Sequence, residues 1–113
     1  MNSQLALEKE REKLVDVFNE ALPDLAITEL EIADKVYSDG VLSTKFKRLL
    51  SLAIALRAEC ANCILHQTLA ALEAGAIKEE ILETISVVVA MSGTTGIGES
   101  LRVIKLLDEL GKL

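Results

Sequence analysis

Residues 50–65 read LSLAIALRAECANCIL, and this stretch decides how the chain folds. The run Leu49–Leu56 is apolar on every side of a helix, and a helix that is apolar all round is normally buried all round. Complete burial is hard to achieve inside one small subunit. The stretch therefore favours a helical protein whose subunits associate, with the third or fifth helix in the contact.

The rest of the chain reads as helices separated by short breaks. Apolar spacing, caps and helix breakers predict six of them. They cover residues 3–21, 24–38, a helix from Ser43 or Thr44 through the apolar run, 60–75, 78–91 and 98–110. We expect Asp24 to cap the second helix after Pro23 ends the first. Residues 92–96 are predicted to form a flexible break, with Gly96-Ile97-Gly98 as a hinge rather than a nucleotide fingerprint.

Two features bear on the fold class. Residues 85–90 are rich in β-branched side chains and would also suit a strand, but the glutamates that precede them favour a helix. We find no internal repeat and no boundary for a second domain. The prediction is an all-α bundle of about six helices that forms one domain over residues 1–113.

Composition limits the classes of function. The chain has 113 residues, half of them hydrophobic and only 3% aromatic, with a net charge of −6. Such a charge disfavours nucleic acids and anionic membrane surfaces, because both attract Lys and Arg. No stretch has the roughly 20 apolar residues of a membrane span. The N-terminal residues lack the pattern of a secretory signal, so we expect a cytoplasmic protein.

Cys60 and Cys63 are the only two cysteines, and they are the first candidates for chemistry. A CxxC pair at a helix start can cycle between dithiol and disulfide, and the helix N-terminus favours the reactive thiolate. His66 is one helical turn after Cys63, and Glu59 would be one turn before it if the helix begins early. A carboxylate, a thiol and an imidazole in a row could relay a proton.

Other interpretations of the same residues stay open. Free cysteines often simply pack in a core. Alternatively, Cys60, Cys63, His66 and Glu59 could hold zinc, although structural zinc sites commonly use two separated ligand pairs. Haem attachment is excluded because Ile64 follows the second cysteine. We therefore expect no cofactor and no metal.

The stretch 50–65, together with ALEAGAIKEEILETISVVVAMSG at 71–93, resembles the carboxymuconolactone decarboxylase family, especially its alkylhydroperoxidase D-like branch. The resemblance implies an all-α fold assembled into trimers or hexamers. It also implies a thiol-dependent peroxidase or disulfide reductase in which Cys63 is the reactive thiol, Cys60 resolves it, and a dithiol protein supplies electrons. The branch that gives the family its name generally lacks the cysteine pair.

The chain departs from that branch at two positions. The branch has a glutamate twelve residues before the first cysteine, where this chain has Arg48. It has a histidine four residues after the second cysteine, where this chain has Gln67 and places its histidine at His66. A cation at residue 48 could stabilise a thiolate directly. Arg48, Gln67 and Glu59 are thus supporting candidates, and the alternative function is an oligomeric scaffold or binding protein that lost turnover.

Overall fold

The structure, a computed structural model, describes all 113 residues. It contains six helices and no strand, which confirms the predicted all-α fold. The helices are α1 (Gln4–Ala21), α2 (Pro23–Tyr37), α3 (Thr44–Arg57), α4 (Ala61–Glu73), α5 (Lys78–Ser92) and α6 (Thr94–Glu109). Each of the six is too short or too polar to cross a membrane.

The start of α2 corrects one sequence prediction. Leu22 occupies the cap position, Pro23 is the first helical residue, and Asp24 lies within the first turn rather than capping it. Proline suits that position because its missing N–H would have no partner there and its φ is already helical. The predicted cap of α3 is confirmed, since the Ser43 hydroxyl accepts a hydrogen bond from the N–H of Phe46.

The junction of α5 and α6 corrects a second prediction. Residues 92–96 do not form a flexible break, because Gly93 alone, with a φ of 61°, separates the two helices. Gly96 is buried in the first turn of α6. A Cβ at this position would lie 3.1 Å from the carbonyl oxygen of Val88. This glycine therefore lets α6 approach α5 closely, and it is not a hinge.

The hydrophobic core lies where α3, α4, α5 and α6 meet. α3 packs against α4 and α5, and α6 packs against α4 and α5. The fully buried side chains come from all four helices: Leu52, Leu56, Ile64, Ala71, Ile81, Val103 and Leu107. Each buried Leu or Ile contributes about 2 kcal/mol. The turn that joins α3 to α4, next to the cysteines, is thus anchored on both sides in the core.

The first two helices form a hairpin outside this core. α2 buries no residue, and α1 buries only Gln4 and Glu8. Most large apolar side chains of the hairpin stay exposed, with Leu14 and Leu30 60% and 63% accessible. The apolar helices of the core also keep one side uncovered, as Ile54 on α3 shows at 69%. Apolar surface therefore remains exposed on the molecule in two places.

Candidate active site

The cysteine pair lies where a tight turn after α3 leads into the first turn of α4. The N–H of Cys60 donates to the carbonyl oxygen of Ala55 at 3.2 Å. The N–H of Glu59 donates to the carbonyl oxygen of Leu56, also at 3.2 Å. These two backbone bonds form a Schellman motif, which ends a helix and turns the chain sharply. The turn fixes the position of the first cysteine before α4 begins.

Glu59 occupies the left-handed position of this turn. Its φ is 58°, and it is the one non-glycine residue with a positive φ. That conformation costs an L-residue about 1–2 kcal/mol. Because Glu59 lies outside α4 and its side chain is exposed, it does not stack one helical turn before Cys63. The relay that required Glu59 on the helix is therefore not formed.

Cys60 caps α4, and Cys63 lies in the first turn of that helix. The two form a disulfide with their Cα atoms 5.2 Å apart. The N–H of Cys63 also donates to Sγ of Cys60 at 3.3 Å. Cys60 is partly buried and Cys63 is exposed, so an incoming reactant has freer access to Cys63. The helix N-terminus around both sulfurs favours negative charge on them.

A cavity of about 330 Å³ opens beside the disulfide. Its polar walls are the two cysteines, Tyr37 from the end of α2, Ser51 from α3 and Gln67 from α4. Ile54, Ala55 and Ala58 complete the lining. The Tyr37 hydroxyl lies 2.5 Å from the Ser51 hydroxyl, and either can be the donor. The cavity thus places two hydroxyls and an amide within one small volume that also contains the sulfurs.

Arg48 lies outside the cavity and contacts two residues of its wall, Gln67 and Tyr37. Its Nη1 donates to Oε1 of Gln67 at 3.2 Å. Its guanidinium carbon also lies 3.5 Å from the centre of the Tyr37 ring, a cation–π contact. The two positions at which the sequence departs from the alkylhydroperoxidase D-like pattern, 48 and 67, are therefore hydrogen-bonded to each other. Arg48 reaches the cavity only through Gln67 and Tyr37.

His66 points to a different part of the molecule. Its Nδ1 lies 3.3 Å from Nη2 of Arg11, on α1. Arg11 forms a two-point ion pair with the buried carboxylate of Glu8, at 2.7 and 2.9 Å. Since a guanidinium can only donate, Nδ1 of His66 accepts and is unprotonated. His66 does not line the cavity, and the structure brings it to α1 rather than to the sulfurs.

The pKa of His66 is lowered from its ordinary value of 6.5. The largest cause is desolvation of the ring by its neighbours, and the positive charge of Arg11 lowers it further. Glu8 and Glu12 act in the opposite direction, and Arg48 on α3 adds to the lowering. The folded protein therefore favours neutral His66, in agreement with its role as an acceptor.

We expect this histidine to make stability fall in mild acid. The unfolded chain takes up a proton at His66 near pH 6.5, whereas the folded chain takes it up only at lower pH. The contribution of neutral His66 is thus fully present above that pH and is lost as the pH falls below it. Urea unfolding of wild type and His66→Gln between about pH 7.5 and 5.5 measures the effect. Equal pH slopes for the two proteins would contradict the assignment.

The structure gathers some of the predicted site residues and separates others. Cys60, Cys63 and Gln67 share the cavity, and Arg48 supports it from behind. His66 and Glu59 lie elsewhere. Tyr37 and Ser51 also line the cavity, although neither was predicted from the sequence. Two signals could have found them: Tyr37 is the only tyrosine, and Ser51 is the one polar residue in an otherwise apolar run.

The donors considered for a zinc site do not converge. The two cysteines are joined to each other, and the imidazole faces Arg11. Nowhere in the chain do three or more His, Cys, Asp or Glu side chains come together as metal ligands would. The geometry gives the zinc alternative no support.

Comparisons with known proteins give a consistent result. The model of the carboxymuconolactone decarboxylase family matches residues 23–106. A relative from Paracoccus denitrificans, described only as uncharacterized protein 4 in the cox locus, is 30% identical over 81 residues. That match covers 72% of this chain and 73% of the relative.

Solved structures share the fold. A carboxymuconolactone decarboxylase family protein from Legionella pneumophila matches with a TM-score of 0.88 over 96% of this chain and 97% of its own, at 24% identity. A Thermotoga maritima protein of the same family, described as a candidate for a role in antioxidative response, matches with a TM-score of 0.71. It is 29% identical, with 92% of this chain and 87% of that protein covered.

Proposed function

The chain belongs to the carboxymuconolactone decarboxylase family, and from this premise we propose that it is a thiol-dependent oxidoreductase that reduces hydroperoxides with the Cys60–Cys63 pair. One observation carries the proposal: the two sulfurs form a disulfide at the N-terminus of α4, beside a cavity with polar walls. The antioxidative role suggested for the Thermotoga maritima protein points the same way.

The reaction begins with the reduced pair. The thiolate of Cys63 attacks the terminal oxygen of a hydroperoxide, and the O–O bond breaks to leave a sulfenic acid and an alkoxide. Cys60 then displaces the hydroxyl group of the sulfenic acid, its thiol proton completes a water molecule, and the disulfide forms. The two sulfurs lose two electrons, which the O–O bond takes up. The exposure of Cys63 supports its role as the attacking thiol.

A dithiol closes the cycle. One of its thiolates attacks the disulfide to give a mixed disulfide, and its second thiol releases the reduced pair. We propose a dithiol protein as this donor. The cycle needs a compartment that keeps thiols reduced, such as the cytoplasm.

Oxidation of the reduced protein tests the proposal. An alkyl hydroperoxide should remove both thiols of each subunit and form an internal disulfide, and a dithiol should then sustain peroxide consumption. Thiol titration and the mass of the oxidised chain measure the first step. Hydroperoxide consumption no faster than in a protein-free control would reject the proposed activity.

The alternative, a scaffold or binding protein with little turnover, is favoured by one observation. Arg48 and Gln67 occupy the positions of the carboxylate and the imidazole in the alkylhydroperoxidase D-like branch and bond to each other. The double variant Arg48→Glu/Gln67→His, measured in the same assay, separates the two functions. A sharp gain over a nearly inactive wild type would favour the alternative, and little change from an active wild type would favour the proposed activity.

We also propose that the subunits form a homo-oligomer, a trimer or hexamer. The support is apolar side chains left accessible on two surfaces, the α1–α2 hairpin and the outer side of α3 and α5. They include Leu14, Val17, Leu25, Leu30, Ile54, Val87 and Met91. Soluble monomers rarely expose connected apolar patches above a few hundred Å². Light scattering at micromolar concentration measures the mass, and a stable monomer would rule the oligomer out.

A further inference from the structure

The cavity beside the disulfide contains a hydroxyl pair whose second proton has no partner. Tyr37 and Ser51 share one hydrogen bond of 2.5 Å, in which either can be the donor. Two hydroxyls joined by one bond use one of their two protons. The other proton is free for an acceptor in the cavity that both side chains line with Cys60 and Cys63.

Gln67, the remaining polar residue of the cavity wall, also presents a hydrogen-bond donor rather than an acceptor. Arg48 offers only N–H groups, so the Gln67 atom that faces it is the carbonyl oxygen. The amide –NH2 is then the part of Gln67 left for the cavity. No carboxylate or imidazole lines this volume. The cavity is therefore poorly suited to take a proton from a thiol and well suited to give one to an anion.

Tyr37 at the end of α2 is held in place by several contacts, although no residue of α2 is buried. The Thr44 hydroxyl donates to the carbonyl oxygen of Tyr37 at 2.6 Å. Nζ of Lys47 donates to the carbonyl oxygens of Val36 and Ser38 at 2.8 and 2.7 Å. The guanidinium of Arg48 lies over the ring. Hydrogen bonds from α3 thus fix the end of α2 at Tyr37, the residue of α2 that lines the cavity.

From this geometry we infer that the Tyr37–Ser51 hydroxyl pair is the proton donor of the site. The inference rests on the proposed hydroperoxide reduction. When Cys63 breaks the O–O bond, the leaving alkoxide is a far stronger base than a phenolate. Proton transfer from the pair turns it into an alcohol. The Cys63 thiol released one proton to solvent when it ionised, and solvent returns one proton to the hydroxyl pair, so the protons balance. Arg48 acts as a positioning residue for the ring.

Two oxidants with different leaving groups test this role. tert-Butyl hydroperoxide releases an alkoxide that needs a proton, whereas peracetic acid releases a carboxylate that needs none. The reduced protein is mixed with each oxidant, and the rate of thiol loss is followed in a single turnover. The variants are Tyr37→Phe, which keeps the ring beneath Arg48, Ser51→Ala, and both together. Ser86→Ala, at an exposed position of α5, is the matched control for loss of a serine hydroxyl.

We expect the variants to react more slowly with the hydroperoxide but not with peracetic acid. General acids contribute about 10²–10⁴-fold, so the double variant should react with the hydroperoxide about a hundredfold more slowly, and Tyr37→Phe about tenfold, because Ser51 still donates. Rates with peracetic acid should change less than about threefold, as should both rates of Ser86→Ala. Arg48→Met should show the same oxidant-selective loss, and Arg48→Lys, which keeps a cation beside the ring, should recover part of it.

The outcomes separate this inference from the proposed function. A wild type whose thiols do not react with tert-butyl hydroperoxide would remove the proposed function and this role together. A reactive wild type with variants that slow both oxidants equally, or neither, would overturn the proton donor alone. Circular dichroism of each variant verifies folding. A misfolded Tyr37→Phe leaves Ser51→Ala to decide, with a hydroperoxide-selective loss in support and none against.

Discussion

Cys63→Ser is expected to lower the rate of hydroperoxide reduction by at least about a thousandfold, because loss of a nucleophile removes the covalent step itself. The structure gives two reasons for choosing this cysteine. It is exposed, whereas Cys60 is partly buried. It also lies in the first turn of α4, where the helix end stabilises a thiolate. Steady-state peroxide consumption with a dithiol donor measures the effect.

Cys60→Ser is the matched variant, and it should fail at a later step. Cys63 can still be oxidised once, so the variant should show a single burst of peroxide loss followed by no turnover. A sulfenic acid or a mixed disulfide with the donor should accumulate on Cys63, where mass spectrometry can find it. A burst in Cys63→Ser and none in Cys60→Ser would reverse the roles assigned to the two cysteines.

Arg11→Met is expected to destabilise the fold by about 3 kcal/mol or more. Glu8 is 1% exposed and is bound at two points by Arg11. The variant would leave a buried carboxylate with no partner, which costs much more than the intact pair contributes. It would also remove the contact from α1 to His66 on α4. Urea unfolding at one fixed protein concentration measures the change, since association affects apparent stability.

Two further variants test the cause of this loss. Glu8→Met/Arg11→Met removes both charges and should recover most of the stability, because a well-packed apolar pair often replaces a buried ion pair at little cost. Glu12→Gln, at an exposed neighbouring position, should change stability by less than about 0.5 kcal/mol. If Arg11→Met were as stable as Glu12→Gln, the buried pair would have no structural role.

Helix positions could be predicted from the sequence because the signals are local. The ends of α1, α4 and α5 fall within two residues of the prediction, since caps and glycines act on the backbone beside them. The start of α6 was missed because Gly96 looks like a breaker in isolation. Its role, the close approach of α6 to Val88 of α5, depends on tertiary packing.

The pairing of Cys60 with Cys63 could also be predicted from their spacing, but the residues that surround the pair could not. The relation between Arg48 and Gln67 depends on how α3 packs on α4, and no local pattern reports it. Tyr37 reaches the site from a third helix, so its contribution follows from tertiary packing alone. The same applies to the burial of Glu8, because α1 buries the polar residues Gln4 and Glu8 while apolar side chains such as Leu14 and Val17 are exposed.

The Schellman turn that carries Cys60 has a consequence for the proposed interconversion of disulfide and dithiol. The bonds that shape it join backbone atoms of Ala55, Leu56, Glu59 and Cys60, and none of them uses a sulfur. Opening the disulfide therefore removes no bond from the corner between α3 and α4. The oxidised and reduced protein can share one backbone, so interconversion has little reorganisation energy to overcome. We therefore expect reduction of the disulfide to leave the relative positions of α3 and α4 unchanged.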